Sequence, residues 1–316
     1  MVKTTLNPQK FRDPVHTLDG QARASVALRA LETLWFNTGT LCNITCAHCY
    51  IESSPSNDRL EYLRARDVTA YLDEIQQTKL PVLEIGFTGG EPFMNPDILI
   101  MLEECLARGF RVLVLTNAMQ PMRRPKIAPR LLELQQRFGG RLTLRVSLDH
   151  YTMALHETER GAGAWQAAIA GLQYLSANGF SLHVAGRLCW NEDEAAARAG
   201  YARLFAEQDI RIDAHNPAQL VLFPEMDAHI DVPEITTACW GILNKSPEDV
   251  MCASSRMVVR RKGAAKPVVL ACTLLPYDPR FEMGESLAGA SGEVRLNHPH
   301  CAKFCVLGGA SCSVKA

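Results

Sequence analysis

Three cysteines stand within one short segment, Gly39-Thr-Leu-Cys42-Asn-Ile-Thr-Cys46-Ala-His-Cys49-Tyr50. The spacing Cys-x3-Cys-x2-Cys gives three thiolates on a single loop, which suits an iron–sulfur cluster of four irons and leaves one iron without a protein ligand. An open iron can take a substrate or a cofactor. Zinc is the alternative occupant, but it wants a fourth ligand, and His48 is cramped between two of the cysteines. An inert buried set is the weakest reading, because no helix or strand period places residues 42, 46 and 49 on one apolar face.

The other cysteines divide by context. Cys252, Cys272, Cys301, Cys305 and Cys312 lie in a stretch rich in proline and glycine that begins near residue 216. Such a stretch does not easily build a large core and needs a staple, for which a cluster or a zinc site is the candidate. His298 and His300 are available to the zinc version. Cys105 falls on the apolar face of an expected helix, Cys239 beside Trp240 reads as packing, and Cys189 follows an expected strand, where burial is the simpler reading.

The whole chain bounds these choices. It has 316 residues, eleven cysteines, and 33 basic against 34 acidic side chains. The charge balance gives no footprint for nucleic acid or a membrane surface. No run approaches eighteen uncharged apolar residues, and the N-terminus lacks a signal-peptide core, so a cytoplasmic protein is expected. In a reducing compartment, metal or thiol chemistry is a better account of eleven cysteines than disulfides.

The elements that position the cysteines alternate. Strand-like runs occupy Thr33–Asn37, Leu83–Thr88, Arg111–Thr116, Leu142–Leu148, Ser181–Leu188 and Ile210–Ala214. Helical spacing occupies Val68–Gln77, Ile98–Arg108, Ala128–Phe138, Trp165–Ala177 and Glu192–Glu207. This rhythm predicts crossovers and a parallel sheet. Six units predict a partial (β/α)6 TIM-like barrel, with a doubly wound open sheet as runner-up; in both, ligands sit at the C-terminal strand ends. The expected domains are an N-terminal segment 1–30, with a short helix over 21–30, a barrel 31–225, and a loop-rich, cysteine-containing domain 226–316.

On these motifs the chain resembles the radical S-adenosylmethionine (radical SAM) superfamily. Cys42, Cys46 and Cys49 fit its Cys-x3-Cys-x2-Cys signature, with His48 as the aromatic residue before the third cysteine. Gly89-Gly90-Glu91-Pro92 ends the second strand and is similar to the segment that binds the SAM amino group. Thr116-Asn117-Ala118, Ser147-Leu148-Asp149 and Arg187 end the next three strands and resemble positions that hold the rest of SAM. The tail is similar to the SPASM and twitch extensions that carry auxiliary [4Fe–4S] clusters. The gaps in Cys252…Gly263…Cys272 and Cys301-x3-Cys305-x6-Cys312 are stretched, and one auxiliary cluster fits better than two. Cys252, Cys272, Cys301 and Cys305 are the expected ligands, with Cys312 as the substitute.

The resemblance implies an oxidoreductase or maturase that cleaves SAM reductively. A [4Fe–4S] cluster on Cys42, Cys46 and Cys49 would yield a 5′-deoxyadenosyl radical, which takes a hydrogen atom from a peptide or small-molecule substrate. It implies a flavodoxin- or ferredoxin-type electron donor, and no catalytic side chain beyond cluster and SAM. Little chain precedes residue 31 for a leader-binding domain, which favours a small molecule or a separate recognition partner. A non-standard cleavage of SAM stays open. The reading from a different class is a non-enzymatic iron–sulfur or zinc protein, either an electron carrier or a scaffold, which has no need of the Gly89-Gly90-Glu91 strand end.

Overall fold

A computed structural model describes residues 4–310. Its main sheet has eight strands. β1 (Ser25–Val26) stands outside it. β2 (Thr33–Asn37), α1 (Ala65–Thr78), β3 (Glu84–Thr88), α2 (Ile98–Ala107), β4 (Arg111–Thr116), α3 (Ala128–Phe138) and β5 (Leu142–Ser147) follow in order. Next come α4 (Met153–Arg160), α5 (Ala164–Ala177), β6 (Ser181–Leu188), α6 (Glu194–Glu207) and β7 (Leu220–Pro224). These six strands pair in parallel with their neighbours in sequence. The C-terminal part adds α7 (Cys239–Leu243), β8 (Ser255–Val259), β9 (Val268–Leu270) and β10 (Val294–Arg295).

The sheet runs β7-β6-β5-β4-β3-β2-β8-β9, with β7 and β9 as its free edges, so the barrel is partial and does not close. Its strands are buried on both faces, and strand alternation divides them between two cores. Leu34 and Phe36 point into the cluster beneath the helices. Trp35 and Leu113 point the other way, into a second cluster built with the C-terminal residues. Helices supply the outer core by spacing: α2 buries Ile98, Met101, Leu102, Cys105 and Leu106 along one face. Cys105 is therefore a core residue, as its spacing indicates.

Three expectations change. The sixth barrel strand is Leu220–Pro224 rather than Ile210–Ala214. Ile210 and Ala214 are buried from a connecting segment, and the strand starts just after Pro217. The segment 21–30 is extended: β1 pairs antiparallel with β10. Ala24 and Val26 are buried at a period of two, and Arg23 is tied to Glu234 at 2.5 Å, so the N-terminal segment is woven into the C-terminal one. The stretch after residue 226 also does more than hang from a staple. β8 lies parallel to β2, pairing Thr33 with Ser255, and β9 returns antiparallel to it.

Among the elements without an expectation, α4 buries His156 and Glu159, polar side chains that apolar spacing does not mark. Among the described residues, no helix is long and apolar enough to cross a membrane.

Candidate functional site

The cysteine loop leaves β2 and is laced to the neighbouring strand ends by backbone hydrogen bonds. Thr38 N donates to Thr88 O at 2.8 Å, Gly90 N to Gly39 O at 2.8 Å and Cys42 N to Ser54 O at 3.0 Å. On the far side, Ala47 N donates to Glu159 O at 2.7 Å. Cys42 is buried, while Cys46 and Cys49 are half-buried.

All three line one cavity at the strand ends, shared with Gly89, Gly90, Asn117, Ser147, Asp149 and Arg187. Burial pushes the Cys42 thiol up to about 12, and the neighbouring Glu91, Cys46 and Cys49 add to it. Burial also raises Cys46, against the pull of Arg160. Thiols so raised stay protonated at neutral pH unless a metal takes the proton's place.

The donor set fits a cluster spread over several irons. The Cys42, Cys46 and Cys49 thiols face a common space. Among the described residues, no three His, Cys, Asp or Glu side chains converge on a single-ion site. His48, the zinc alternative's fourth ligand, has its Nδ1 at 2.9 Å from a Glu159 carboxylate oxygen.

The glycines serve the loop as much as any ligand. At Gly89 the backbone is left-handed, with φ +138, and a Cβ would stand 2.6 Å from the Gly39 carbonyl oxygen. A Cβ at Gly90 would collide with the Leu41 carbonyl. Both positions are needed for the third strand end to lie against the cysteine loop.

Glu91 sits beneath the cavity wall, 1% exposed, rather than facing the space. Its carboxylate accepts from Thr116 Oγ1 at 2.8 Å, Asn117 N at 2.8 Å and Phe93 N at 3.2 Å. Burial nevertheless raises its carboxyl to about 7. In this structure Glu91 positions Asn117, whose Nδ2 donates to Asn43 Oδ1 at 2.9 Å. Ala118, where related motifs carry glycine, keeps the left-handed φ of 56.

Asp149 and Arg187 reach the cavity already paired. Asp149 receives Arg160 Nε at 2.6 Å and Nη2 at 3.3 Å. Burial works to raise its carboxyl, but the Arg160 charge and hydrogen bonds outweigh that and hold it low. Arg187 donates to Glu159 at 2.6 Å. Glu159 and Arg160, in the last turn of α4, are the functional residues that spacing did not reveal. The available signal was the charged run His156-Glu-Thr-Glu-Arg160 between two strand ends. Arg145, from the interior face of β5, also lines the cavity and was not singled out.

The second set converges as well. Cys252, Cys272, Cys301 and Cys305 line one enclosed apolar space with Met251, Leu274, Phe281 and His300. They arrive from a turn before β8, the exit of β9 and a π-helical turn at Cys301–Leu307. Burial lifts Cys252 to about 11; burial and the nearby Cys252 lift Cys301 to about 12. Cys312 lies outside the described residues. Cys239 Sγ accepts from Thr236 N at 3.4 Å, in line with packing. Cys189 is half-buried at the end of β6.

Residues 36–193 match the family model described as the radical SAM superfamily. This chain belongs to the radical SAM superfamily. Over 140 residues it is 31% identical to the mycofactocin maturase MftC of Mycobacterium ulcerans, covering 44% of this chain and 35% of that one. Over 145 residues it is 30% identical to the subtilosin biosynthesis protein AlbA of Bacillus subtilis, covering 46% of this chain and 30% of that one. The matches thus span about a third of these relatives' own length. The fold is similar to that of Streptococcus suis SuiB bound to its precursor peptide SuiA, with a TM-score of 0.59 at 14% identity, covering 84% of this chain and 66% of that one. Members of the superfamily use a [4Fe–4S] cluster and SAM, and the open parallel barrel seen here is theirs.

Proposed function

We propose that this chain is a radical SAM oxidoreductase of the maturase type, acting on a peptide. The observation that carries the reading is the convergence of Cys42, Cys46 and Cys49 with Asn117, Ser147, Asp149 and Arg187 on one cavity. The three cysteines would hold a [4Fe–4S] cluster, and Cys252, Cys272, Cys301 and Cys305 would hold an auxiliary one. Bound there, cluster and SAM supply a one-electron cleavage that generates a radical able to take hydrogen from an unactivated carbon.

The chain's own part is binding, orientation and exclusion of water. Gly89 and Gly90 bring backbone to the edge of the cavity, and Asn117 is held there by Asn43 and by the Glu91 carboxylate beneath it. Asp149 and Arg187 present a carboxylate and a guanidinium whose aim is fixed by Arg160 and Glu159. Phe223 and Phe304 cover part of the space with apolar surface.

A peptide substrate is supported by the relatives' names, two of which denote peptide maturation or bacteriocin biosynthesis, and by SuiB, seen with a precursor peptide. We further assign residues 31–225 to the barrel unit and 226–316 to the auxiliary unit. The reductant is a flavodoxin- or ferredoxin-type donor, and the setting is the cytoplasm, where clusters and free thiols persist. The test is anaerobic reconstitution with iron and sulfide, reduction with dithionite and a search for 5′-deoxyadenosine. Full iron loading without any SAM cleavage product would refute the enzyme reading and leave an iron–sulfur carrier or scaffold.

A further inference from the structure

The two cysteine-lined cavities share a wall. Leu274, two residues beyond Cys272, lines both. Phe304, placed between Cys301 and Cys305 in the chain, also faces the larger cavity, and its ring lies 5.3 Å from that of Phe223 at the end of β7. Met226 completes this surface. All four belong to, or pack against, one apolar cluster that joins barrel strands to the C-terminal segment. The polar part of the lining has another origin, the cysteine loop and the ends of β3, β4, β5, β6 and α4. It carries three arginines, Arg145, Arg160 and Arg187, of which the last two each already face a carboxylate.

A charged group set against Leu274, Phe223, Met226 and Phe304 would lose its hydration and meet no donor or acceptor side chain among them. A hydrocarbon group there would instead remove apolar surface from water on both sides. We infer that these four residues form a substrate subsite for an apolar side chain and reject charged ones. Leu274 sets its inner limit, against the second cysteine cage. The inference rests on the reading of this cavity as the substrate site of a radical enzyme, and it names which part of the substrate the site selects.

The probes are two blocked tripeptides, N-acetyl-Gly-Leu-Gly-amide and N-acetyl-Gly-Asp-Gly-amide. Each is titrated by equilibrium dialysis into the full chain carrying reconstituted clusters and SAM. The leucine peptide is expected to bind at least about tenfold more tightly, the scale on which apolar pockets discriminate. Met226→Glu, at a half-buried position, is expected to abolish that preference with iron per chain unchanged. Leu274→Asp is the second variant, with the same expected loss. Equal affinities, a preference for the aspartate peptide, no binding of either, or a preference untouched by both variants overturns the inference. 5′-Deoxyadenosine is assayed in the same samples after reduction with dithionite. Its absence beside an intact leucine preference counts against the radical reading alone. Its formation without any leucine preference counts against the subsite alone.

Discussion

Glu159 and Arg187 form a largely buried ion pair of 2.6 Å at the wall of the cavity. The same carboxylate holds the His48 ring, and the backbone oxygen of Glu159 accepts from Ala47. One residue of α4 thereby ties the cysteine loop to the end of β6. Replacing one member of a buried pair strands the other charge, at a cost of about 3 kcal/mol. Glu159→Gln is therefore expected to lower the unfolding free energy by that order and to weaken iron retention, with Glu159→Asp recovering part of both. Chemical unfolding and iron assay of the three proteins check this.

Glu91 gives a pH dependence whose sign is fixed. Its carboxyl is raised by burial from an ordinary 4.5 to about 7. Between those values the folded chain keeps a proton that the unfolded chain gives up. The group's contribution to stability is thus fullest below pH 4.5 and is lost as pH rises towards 7, by roughly 3 kcal/mol in all. Glu91→Gln has no such proton. The stability gap between wild type and Glu91→Gln should be wider at pH 5 than at pH 8 in urea unfolding, and a gap that is constant or widens with pH contradicts the assignment.

Gly90 and Gly140 should respond oppositely to alanine. A Cβ at Gly90 meets the Leu41 carbonyl, whereas at Gly140 it meets nothing within 4 Å. Backbone cannot step aside cheaply, so Gly90→Ala is expected to cost about 1–3 kcal/mol and to displace the cysteine loop. Gly140→Ala should be neutral within about 0.5 kcal/mol. Thermal unfolding with iron quantitation separates the two.

Two cysteine cages predict separable iron. Cys46→Ala is expected to remove about half the iron and all SAM cleavage, since a cluster that loses one of three thiolates is poorly held. Cys301→Ala should leave the SAM-dependent spectroscopic signal of the first cluster in place. Loss of nearly all the iron from either variant alone would mean one shared site.

Much of this was legible in the residues. The spacing of Cys42, Cys46 and Cys49 declares itself by residue type, the strand ends at Gly89, Asn117, Ser147 and Arg187 gain weight only beside it, and the βα rhythm places these on one rim; the C-terminal cysteines offer five candidates for four places. The clamp at Glu159 and Arg160 does not declare itself. α4 is short and the side chains it hides, His156 and Glu159, are polar, so apolar spacing does not mark its inner face, and its partners lie across the barrel mouth rather than nearby in the chain. Ile210–Ala214 misled for a related reason: burial alone does not make a strand, and backbone pairing with β6 is satisfied by Leu220–Pro224 instead. For Glu91, residue type located the position but not the direction, because burial and three donors turned the carboxylate inward.

The pairing of β8 with β2 has a consequence for how the chain can be divided. β2 starts the barrel and carries the cysteine loop, yet one of its two edges is completed only by Ser255–Val258. A fragment ending near residue 225 would present that edge as a row of open amides and carbonyls, with Trp35 stripped of Met257 and its other C-terminal neighbours. Such an edge recruits other chains. The strand Ser255–Val259 therefore acts as the barrel's safeguard against self-association.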